Sequence, residues 1–178
     1  MGKVDLTKFC FKGENPFKIQ EPFSKGKWTY ATNGHMAIRV PRLHVPEFPE
    51  NEKAPDVEEL FKEADKRGPY EWVPVPEVKI ETVQCGACKG IDIRKEDGEA
   101  FPCKRCNGEG HYQKAEPVKF PLGAATIALS NVYLDLIHRE LPNPQIGLIK
   151  EAAGDHWTAK PVKIRFDGGE GLLMPIQI

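Results

Sequence analysis

The sequence lacks a strong excess of charge of either sign. Its 178 residues carry 25 basic and 26 acidic side chains, which gives a net charge of −1. A chain this close to neutrality is not drawn to phosphate by its bulk charge, as histone-like proteins are. The balance therefore excludes that class of nucleic-acid-binding protein and leaves only a local basic strip open.

The sequence also lacks a hydrophobic run long enough to cross a membrane. The longest stretch without a charged residue, residues 120–134, contains a proline, a glycine, a serine and an asparagine and is shorter than a spanning helix. No basic segment followed by an apolar one occurs in residues 1–20, so no signal peptide is expected. We therefore expect a soluble, cytoplasmic protein.

Motifs of the common enzyme classes are absent as well. The sequence has no nucleophile elbow, no glycine loop of the phosphate-binding type and no His-Glu-x-x-His pair. Its five histidines are scattered, without carboxylates or thiols at a spacing typical of a catalytic site. The residues therefore favour a protein that is not an enzyme.

What the sequence does have is a dense group of cysteines, four of the five falling within 22 residues. They form two pairs, Cys85-x-x-Cys88 and Cys103-x-x-Cys106, separated by fourteen residues. Each pair can form a tight knuckle with two thiolates, and two knuckles supply the four sulfurs that zinc prefers. The spacer is one residue shorter than the usual window for such a ribbon, and an Asp-Gly turn at 97–98 can close a hairpin across it. We therefore predict one structural Zn²⁺ ion in a zinc ribbon, with redox-active dithiols or unrelated core thiols as the alternatives.

The residues around these cysteines bear on the role of the metal. Four sulfur ligands fill the coordination sphere of zinc and leave no position for a catalytic water, so the predicted ion is structural. Lys104 and Arg105, inside the second knuckle, are the best candidates for contacts with nucleic-acid phosphates. The alternative is a solvated surface of mixed charge, because acidic residues nearly balance the basic ones in this region. Cys10 stands alone in an apolar stretch and is predicted to be a buried structural thiol.

The rest of the chain predicts short strands and two helices. Residues 56–67 carry one apolar stripe formed by Val57, Leu60, Phe61 and Ala64. Residues 131–141 form the second predicted helix. Its predicted buried side chains are Val132, Tyr133, Leu136, Ile137 and Leu141. The Asn-Gly pair at 33–34 predicts a hairpin turn between two strands. Strands interrupted by two separate helices indicate an α+β domain with an antiparallel sheet.

The second knuckle resembles a known repeat. It continues as Cys103-x-x-Cys106-x-Gly108-x-Gly110, which is similar to the cysteine-rich repeat of DnaJ-type co-chaperones. The resemblance implies a knuckle in which the glycines permit a tight backbone. The sequence lacks the His-Pro-Asp tripeptide of the J domain, and it has two knuckles where those proteins have four repeats. A co-chaperone-like module for protein interaction is therefore one functional alternative.

Three other segments resemble a second family. Residues 30–37, Tyr-Ala-Thr-Asn-Gly-His-Met-Ala, resemble the Ala-Thr-Asp-Gly-His-Arg-Leu-Ala strand and turn of bacterial DNA polymerase processivity clamps. Residues 171–178 resemble the Met-Pro-Met ending of those clamps, and residues 130–136 resemble the start of the helix before that ending. The resemblance implies a single clamp-like domain made of residues 1–81 and 116–178. The zinc ribbon, residues 82–115, is then an insertion.

In the clamps, the turn and the ending line a pocket that receives short peptides from polymerases and other partners. The resemblance implies a partner-peptide pocket here, formed by Thr32, Gly34, His35, Leu173, Met174, Pro175 and Ile176. Asn33 and Met36 stand where the family has aspartate and arginine, and these departures bear on partner selectivity. The alternative is that the apolar residues near the end are simply strand core.

Encircling DNA makes a further demand, because clamp helices that face the duplex need positive charge. Residues 56–67 hold five acidic and three basic side chains, and residues 131–141 hold two acidic and one basic. Neither helix is suited to face DNA, and a chain with one clamp domain needs several copies to close a ring. We therefore expect a zinc-binding, sliding-clamp-like accessory protein of DNA replication or repair that binds protein partners. Phage origin is a hypothesis based only on the small number of domains. The alternative is a zinc-ribbon regulator that binds nucleic acid on an unrelated α+β scaffold.

Overall fold

The computed structural model of the chain describes residues 4–13, 15–42, 48–89, 93–96, 99–103, 105–106, 108–122, 125–149 and 160–176, with backbone only for 93–96 and 99–101. The strands are β1 (Phe23–Lys25), β2 (Trp28–Thr32), β3 (Met36–Pro41), β4 (Glu71–Pro74), β5 (Thr82–Gln84), β6 (Ile93–Glu96), β7 (Glu99–Pro102), β8 (His111–Gln113), β9 (Pro117–Leu122), β10 (Ala125–Ser130), β11 (Gln145–Leu148), β12 (Val162–Phe166) and β13 (Gly169–Leu173). The helices are α1 (Val57–Asp65) and α2 (Asn131–Glu140), and a short 3-10 helix spans Leu6–Phe9.

An antiparallel sheet organises the described part of the chain. Its strand order is β1-β2-β3-β13-β12-β11-β4, so the last strands of the sequence lie between the first ones and β4. The turn between β2 and β3 falls at Asn33 and Gly34, as predicted, and Gly34 has a φ of 87° that favours glycine. Together with the two helices, this sheet confirms the predicted α+β class.

Each face of the sheet packs against a different layer, because side chains alternate along a strand. One face packs against α2 and the β9–β10 hairpin, and forms the larger core cluster. Its fully buried members include Ile38, Ile146, Ile164 and Leu173 of the sheet, Leu129 of the hairpin, and Leu134 and Ile137 of α2. The other face packs against α1, through a cluster that includes Tyr30, Leu172, Val57, Phe61 and Ala64.

The helices lie close to their predicted bounds, but parts of their predicted buried faces were wrong. In α1, Leu60 is 47% exposed although Val57, Phe61 and Ala64 are buried.

In α2, the buried side chains are Asn131, Leu134 and Ile137, followed by Leu141 just after the helix. The positions predicted in their place are only half-buried: Val132, Tyr133 and Leu136. The face of α2 that enters the larger core cluster is centred on Leu134 and Ile137, and Tyr133 and Leu136 pack at its edge.

Asn131 joins α2 to the two chain segments that lead into and out of the cysteine region. Its side-chain oxygen accepts hydrogen bonds from the backbone N–H groups of Glu116, at 2.7 Å, and of Val132, at 2.9 Å. Its amide nitrogen donates to the carbonyl oxygens of Lys79 and Lys114, at 3.5 and 3.4 Å. One buried side chain therefore fixes the base of the segment between residues 79 and 116.

A buried arginine connects α1 to the sheet. The guanidinium of Arg39 lies 4.5 Å from the ring centre of Trp28 and 3.9 Å from that of Phe61. Its Nε donates to Glu170 on β13 at 2.9 Å. Lys163 also pairs with Glu170, at 2.8 Å, and with Asp65 near the end of α1. Since a buried cation is costly without a partner, the carboxylate of Glu170, together with that of Asp65 at 4.0 Å, makes Arg39 tolerable here.

Among the described residues, no helix is long and apolar enough to cross a membrane.

Candidate metal centre and apolar groove

The four clustered cysteines meet around one point. Their sulfur atoms all lie within 4.8 Å of one another, and all four residues are buried. The Sγ atoms of Cys85 and Cys103 are 3.8 Å apart, and those of Cys88 and Cys106 are 3.7 Å apart. A tetrahedral zinc ion with bonds of about 2.3 Å to sulfur requires neighbouring sulfurs about 3.8 Å apart. The cluster therefore fits a metal ion such as zinc.

Glycines shape the second knuckle. Gly108 and Gly110 have φ angles of 85° and 73°, in the region that favours glycine. This backbone brings the N–H of Gly110 to 3.3 Å from the sulfur of Cys106, and the carbonyl of Gly110 accepts from the N–H of Cys85 at 2.8 Å. The positive φ angles confirm that these glycines make the tight turn possible.

Backbone donors around the sulfurs favour thiolates. Burial alone would raise the pKa of Cys85, but hydrogen bonds from the backbone N–H groups of Cys88 and Ala87 outweigh it and lower the pKa to about 6. The N–H groups of Arg105 and Cys106 likewise lower the pKa of Cys103. Because thiolate is the form that binds metal, these backbone donors favour metal binding by Cys85 and Cys103.

Short antiparallel pairs hold the knuckles. β5 pairs with β8, and β6 pairs with β7. Tyr112 on β8 packs against the cysteine cluster, and Arg105 lies over its ring at 4.9 Å while donating to its hydroxyl at 2.8 Å. Lys104, the other predicted phosphate contact, lies outside the described residues.

A second feature is an apolar groove of about 410 Å³ at the end of the sheet. It is bounded by the β2–β3 turn, the start of α1, the end of β13 and the N-terminal residues 11–13 and 15–19. The lining residues are Phe11, Asn15, Phe17, Ile19, Thr32, Asn33, Gly34, His35, Met36, Ala37, Pro55, Val57, Leu60, Pro161, Leu172 and Met174. None of these sixteen described residues is Asp, Glu, Lys or Arg.

Some of the residues predicted for a partner-peptide pocket lie in this lining and others do not. Thr32, Gly34, His35 and Met174 line the groove. The turn and the chain end are joined directly, because the N–H of Met174 donates to the carbonyl of His35 at 2.8 Å.

The other predicted pocket residues lie outside the groove lining. Leu173 is fully buried in the core on the opposite face of the sheet, since its neighbour Leu172 faces the groove. Pro175 and Ile176 are outside the lining, and the N–H of Ile176 donates to the carbonyl of Ala128 on β10 at 2.9 Å.

Sequence reasoning missed the wall contributed by the N-terminal segment. Its most exposed side chain is Phe17, at 51%. Phe17, Leu60 and Met174 are the large hydrophobic side chains that stay exposed in the described part of the chain, and all three line the groove. An apolar position that breaks the burial pattern of its helix, as Leu60 does, marks the groove in the structure, but the periodicity alone could not single it out.

Comparison with solved structures finds a crystal structure of the C. crescentus beta sliding clamp with PEG bound. The sequence identity is 14%, the TM-score is 0.36, and the match covers 99% of this chain. The chain spans 62% of the length of that clamp chain. No model of a protein family matches the chain, and no curated protein matches it.

Proposed function

We propose that this chain is a non-enzymatic, zinc-binding accessory protein of the sliding-clamp type. In this proposal it acts in DNA replication or repair by holding an extended segment of a partner protein in the apolar groove. The observation that carries the proposal is the composition of that groove. Its lining brings together the two segments that resemble the peptide pocket of processivity clamps, and it contains the large hydrophobic side chains that remain exposed in the described chain.

The groove has the chemistry of a peptide site. Phe17, Leu60 and Met174 expose apolar area to water, and a partner that covers them gains the hydrophobic free energy of that area. Methionine has no branched carbon and adapts its shape to different side chains. A volume of about 410 Å³ lies within the usual range for ligand sites. We therefore expect a few apolar side chains of a partner to fill it.

The metal has a supporting role in the proposal. Four sulfur ligands leave zinc no free position for substrate, so the ion stabilises the knuckles and takes no part in chemistry. The acidic character of α1, which carries Glu58, Glu59, Glu63 and Asp65, argues against this helix facing DNA. Contact with partner proteins is therefore the role that the charges favour.

The test uses a random linear peptide library displayed on phage, selected on the purified, zinc-loaded chain. We expect apolar peptides that bind with an affinity measurable by fluorescence anisotropy. Leu60→Ala or Met174→Ala should weaken that binding about tenfold or more, because each removes a contact in the groove. Leu136→Ala is the matched control: it removes a more buried leucine of α2, outside the groove, so any effect of lost stability alone is at least as large there. Equal binding by all four proteins would contradict the proposal.

The metal and the assembly are tested by native mass spectrometry. We expect one zinc ion per chain, and closed oligomers if the chain encircles DNA. A monomer with one zinc would exclude a closed ring of several chains and would leave a single chain that binds partner proteins. A protein without metal would contradict the zinc site.

A second candidate function is nucleic-acid binding by the knuckle region, which one observation favours. Arg105 is exposed and held by Tyr112, so its guanidinium is positioned beside an aromatic ring. An exposed guanidinium held in place in this way suits contact with the phosphates of single-stranded nucleic acid. Arg105→Glu together with Lys104→Glu should then abolish salt-sensitive binding to a labelled oligonucleotide, and unchanged binding would exclude this role.

A further inference from the structure

We propose that Asn15 and Asn33 determine which segment the groove accepts. Their side-chain amides donate hydrogen bonds to carbonyl groups of an uncharged, extended peptide, and the lining rejects peptides that place a charged side chain there. This inference rests on the proposed function and specifies the chemistry of the partner.

Asn33 is fixed by its own turn. Its Oδ1 accepts hydrogen bonds from the backbone N–H groups of His35, at 2.9 Å, and Met36, at 3.0 Å. Both bonds occupy the oxygen and fix the plane of the amide. No acceptor for its Nδ2 is found among the described residues, although the residue is half-buried in the groove lining. The donor end of Asn33 is thus available to a ligand.

Asn15 is arranged in the same way on a different segment of the lining. Its Oδ1 accepts from the N–H of Phe17 at 2.8 Å, and its backbone carbonyl accepts from the N–H of Lys18 at 3.1 Å. The described chain again provides no acceptor for Nδ2. Asn51 holds this segment in place, because its amide donates to the carbonyls of Phe17 and Lys18 at 3.1 and 2.8 Å.

The described residues of the lining therefore offer hydrogen-bond donors and include no Asp, Glu, Lys or Arg. A charged side chain placed against them would lose its hydration and find no counter-charge among them. A ligand without acceptors would bury the two amides unpaired, which is also costly. An extended peptide meets both conditions, since it presents one carbonyl for each residue and can carry apolar side chains into the groove.

Substitution by aspartate tests this idea without disturbing the turns. Asn33→Asp and Asn15→Asp keep an oxygen that accepts from the same backbone N–H groups, but replace the donor with a carboxylate oxygen. Replacement by alanine would remove the turn bonds as well, so aspartate is the more selective change. Gln113→Glu, on β8 and outside the lining, adds the same charge as a matched control.

The experiment repeats the peptide selection on the wild-type chain and on each variant. We expect the wild-type chain to enrich peptides that lack Asp, Glu, Lys and Arg around the apolar residues. A blocked synthetic copy of the best wild-type peptide should bind about tenfold more weakly to Asn33→Asp, because a donor is lost and a charge is buried. Selection on Asn33→Asp should instead enrich lysine or arginine beside the apolar residues. Gln113→Glu should bind and select as the wild-type chain does.

The outcomes separate this inference from the proposed function. If Met174→Ala weakens the peptide and both aspartate variants bind it within twofold of wild type with unchanged selection, the asparagines do not select the ligand. Enrichment of charged peptides by the wild-type chain would also overturn the inference. If the wild-type chain selects no peptide, the proposed function itself fails. If the chain forms a dimer and Leu60→Ala dissociates it, the groove holds a second copy of the chain. That result would overturn the proposal of a peptide ligand.

Discussion

The described chain contains two regions that are held together in different ways. The sheet body, meaning the described residues of 4–81 and 116–176, has a core of apolar side chains on both faces of its sheet. The knuckle module, meaning the described residues of 82–115, has a core of four cysteines with one aromatic ring, Tyr112, against it. Apolar burial stabilises the first region without a ligand. Among the described residues of the second region, only these five side chains form the cluster, so we expect its fold to depend on a bound metal.

Cys10 and Cys85, one buried cysteine from each region, differ in the pKa of their thiols. Burial raises the pKa of Cys10, in the sheet body, to about 12. Burial acts in the same direction on Cys85, but backbone N–H donors lower its pKa to about 6. The local backbone therefore decides whether a buried cysteine is an inert apolar side chain or a metal ligand.

Removing the metal should produce the largest difference in stability between the two regions. With zinc chelated, we expect the knuckle module to unfold while the sheet body stays folded, since structural zinc contributes on the order of 10 kcal/mol to such sites. Hydrogen exchange with mass spectrometry would show protection lost over residues 82–115 and kept over β3, β12 and β13. Cys85→Ser should have the same effect without chelator, and Cys10→Ser should keep its zinc. If the knuckle module kept its protection from hydrogen exchange without metal, the two regions would not differ in their dependence on zinc.

Thiol alkylation should give the next largest difference. At pH 8 in chelator, a thiol with a pKa of about 12 is ionised in only about one molecule in ten thousand. The module cysteines, exposed by metal loss, should therefore react with iodoacetamide at least about a thousandfold faster than Cys10. Because the raised pKa keeps Cys10 protonated, its reaction should rise with pH up to about 12. Equal rates for all five thiols in the folded protein would contradict this, and equal rates in guanidinium are the expected control.

Phe61→Ala should destabilise the sheet body and leave the module unchanged. Phe61 is fully buried and packs against Tyr30 and Arg39, so its loss should lower the free energy of unfolding by about 3–5 kcal/mol in urea titrations. Leu60→Ala, one residue earlier on α1, should cost about 1 kcal/mol or less because Leu60 is exposed. The zinc content of both variants should match wild type. If both substitutions lowered the free energy of unfolding by a similar amount, the groove-facing side of α1 would be packed against other residues and not exposed.

The smallest of these effects is expected from Glu170→Gln. It removes the negative charge that neutralises the buried Arg39 and should cost about 3 kcal/mol of stability. Asp56→Asn, which breaks the exposed ion pair with Lys25, should change stability far less, because solvent screens that pair. Urea titration of both variants compares a buried with an exposed ion pair in one region. Equal changes would mean that Asp65 and the rings of Trp28 and Phe61 stabilise Arg39 without Glu170.

Local patterns in the sequence predicted the local features well. The apolar stripe over residues 56–67 predicted α1, which spans Val57–Asp65. The Asn-Gly pair predicted the turn between β2 and β3. The spacing of the cysteines predicted the cluster, because a Cys-x-x-Cys pair forms its knuckle from neighbouring residues. The helix and the turn depend on contacts over a few residues only, and the two knuckles of the cluster lie 18 residues apart.

Features that depend on distant contacts could not be predicted. Arg39 lies between two apolar residues of a strand, a pattern typical of a solvent-facing side chain. It is buried because α1 covers it and because Glu170, 131 residues later, supplies the counter-charge. The groove wall around Phe17 has no periodic pattern, and it is recognisable only when the ends of the chain are seen together.

The bonds made by Asn131 have a consequence for engineering. The base of the knuckle module is closed by this side chain and by the N–H of Lys114, which donates to the carbonyl of Glu81 at 2.8 Å. Two chain segments already paired in this way can be linked by a two-residue Asn-Gly hairpin. We therefore expect residues 82–113 to be replaceable by a turn, a tag or another metal-binding hairpin while the groove keeps its shape.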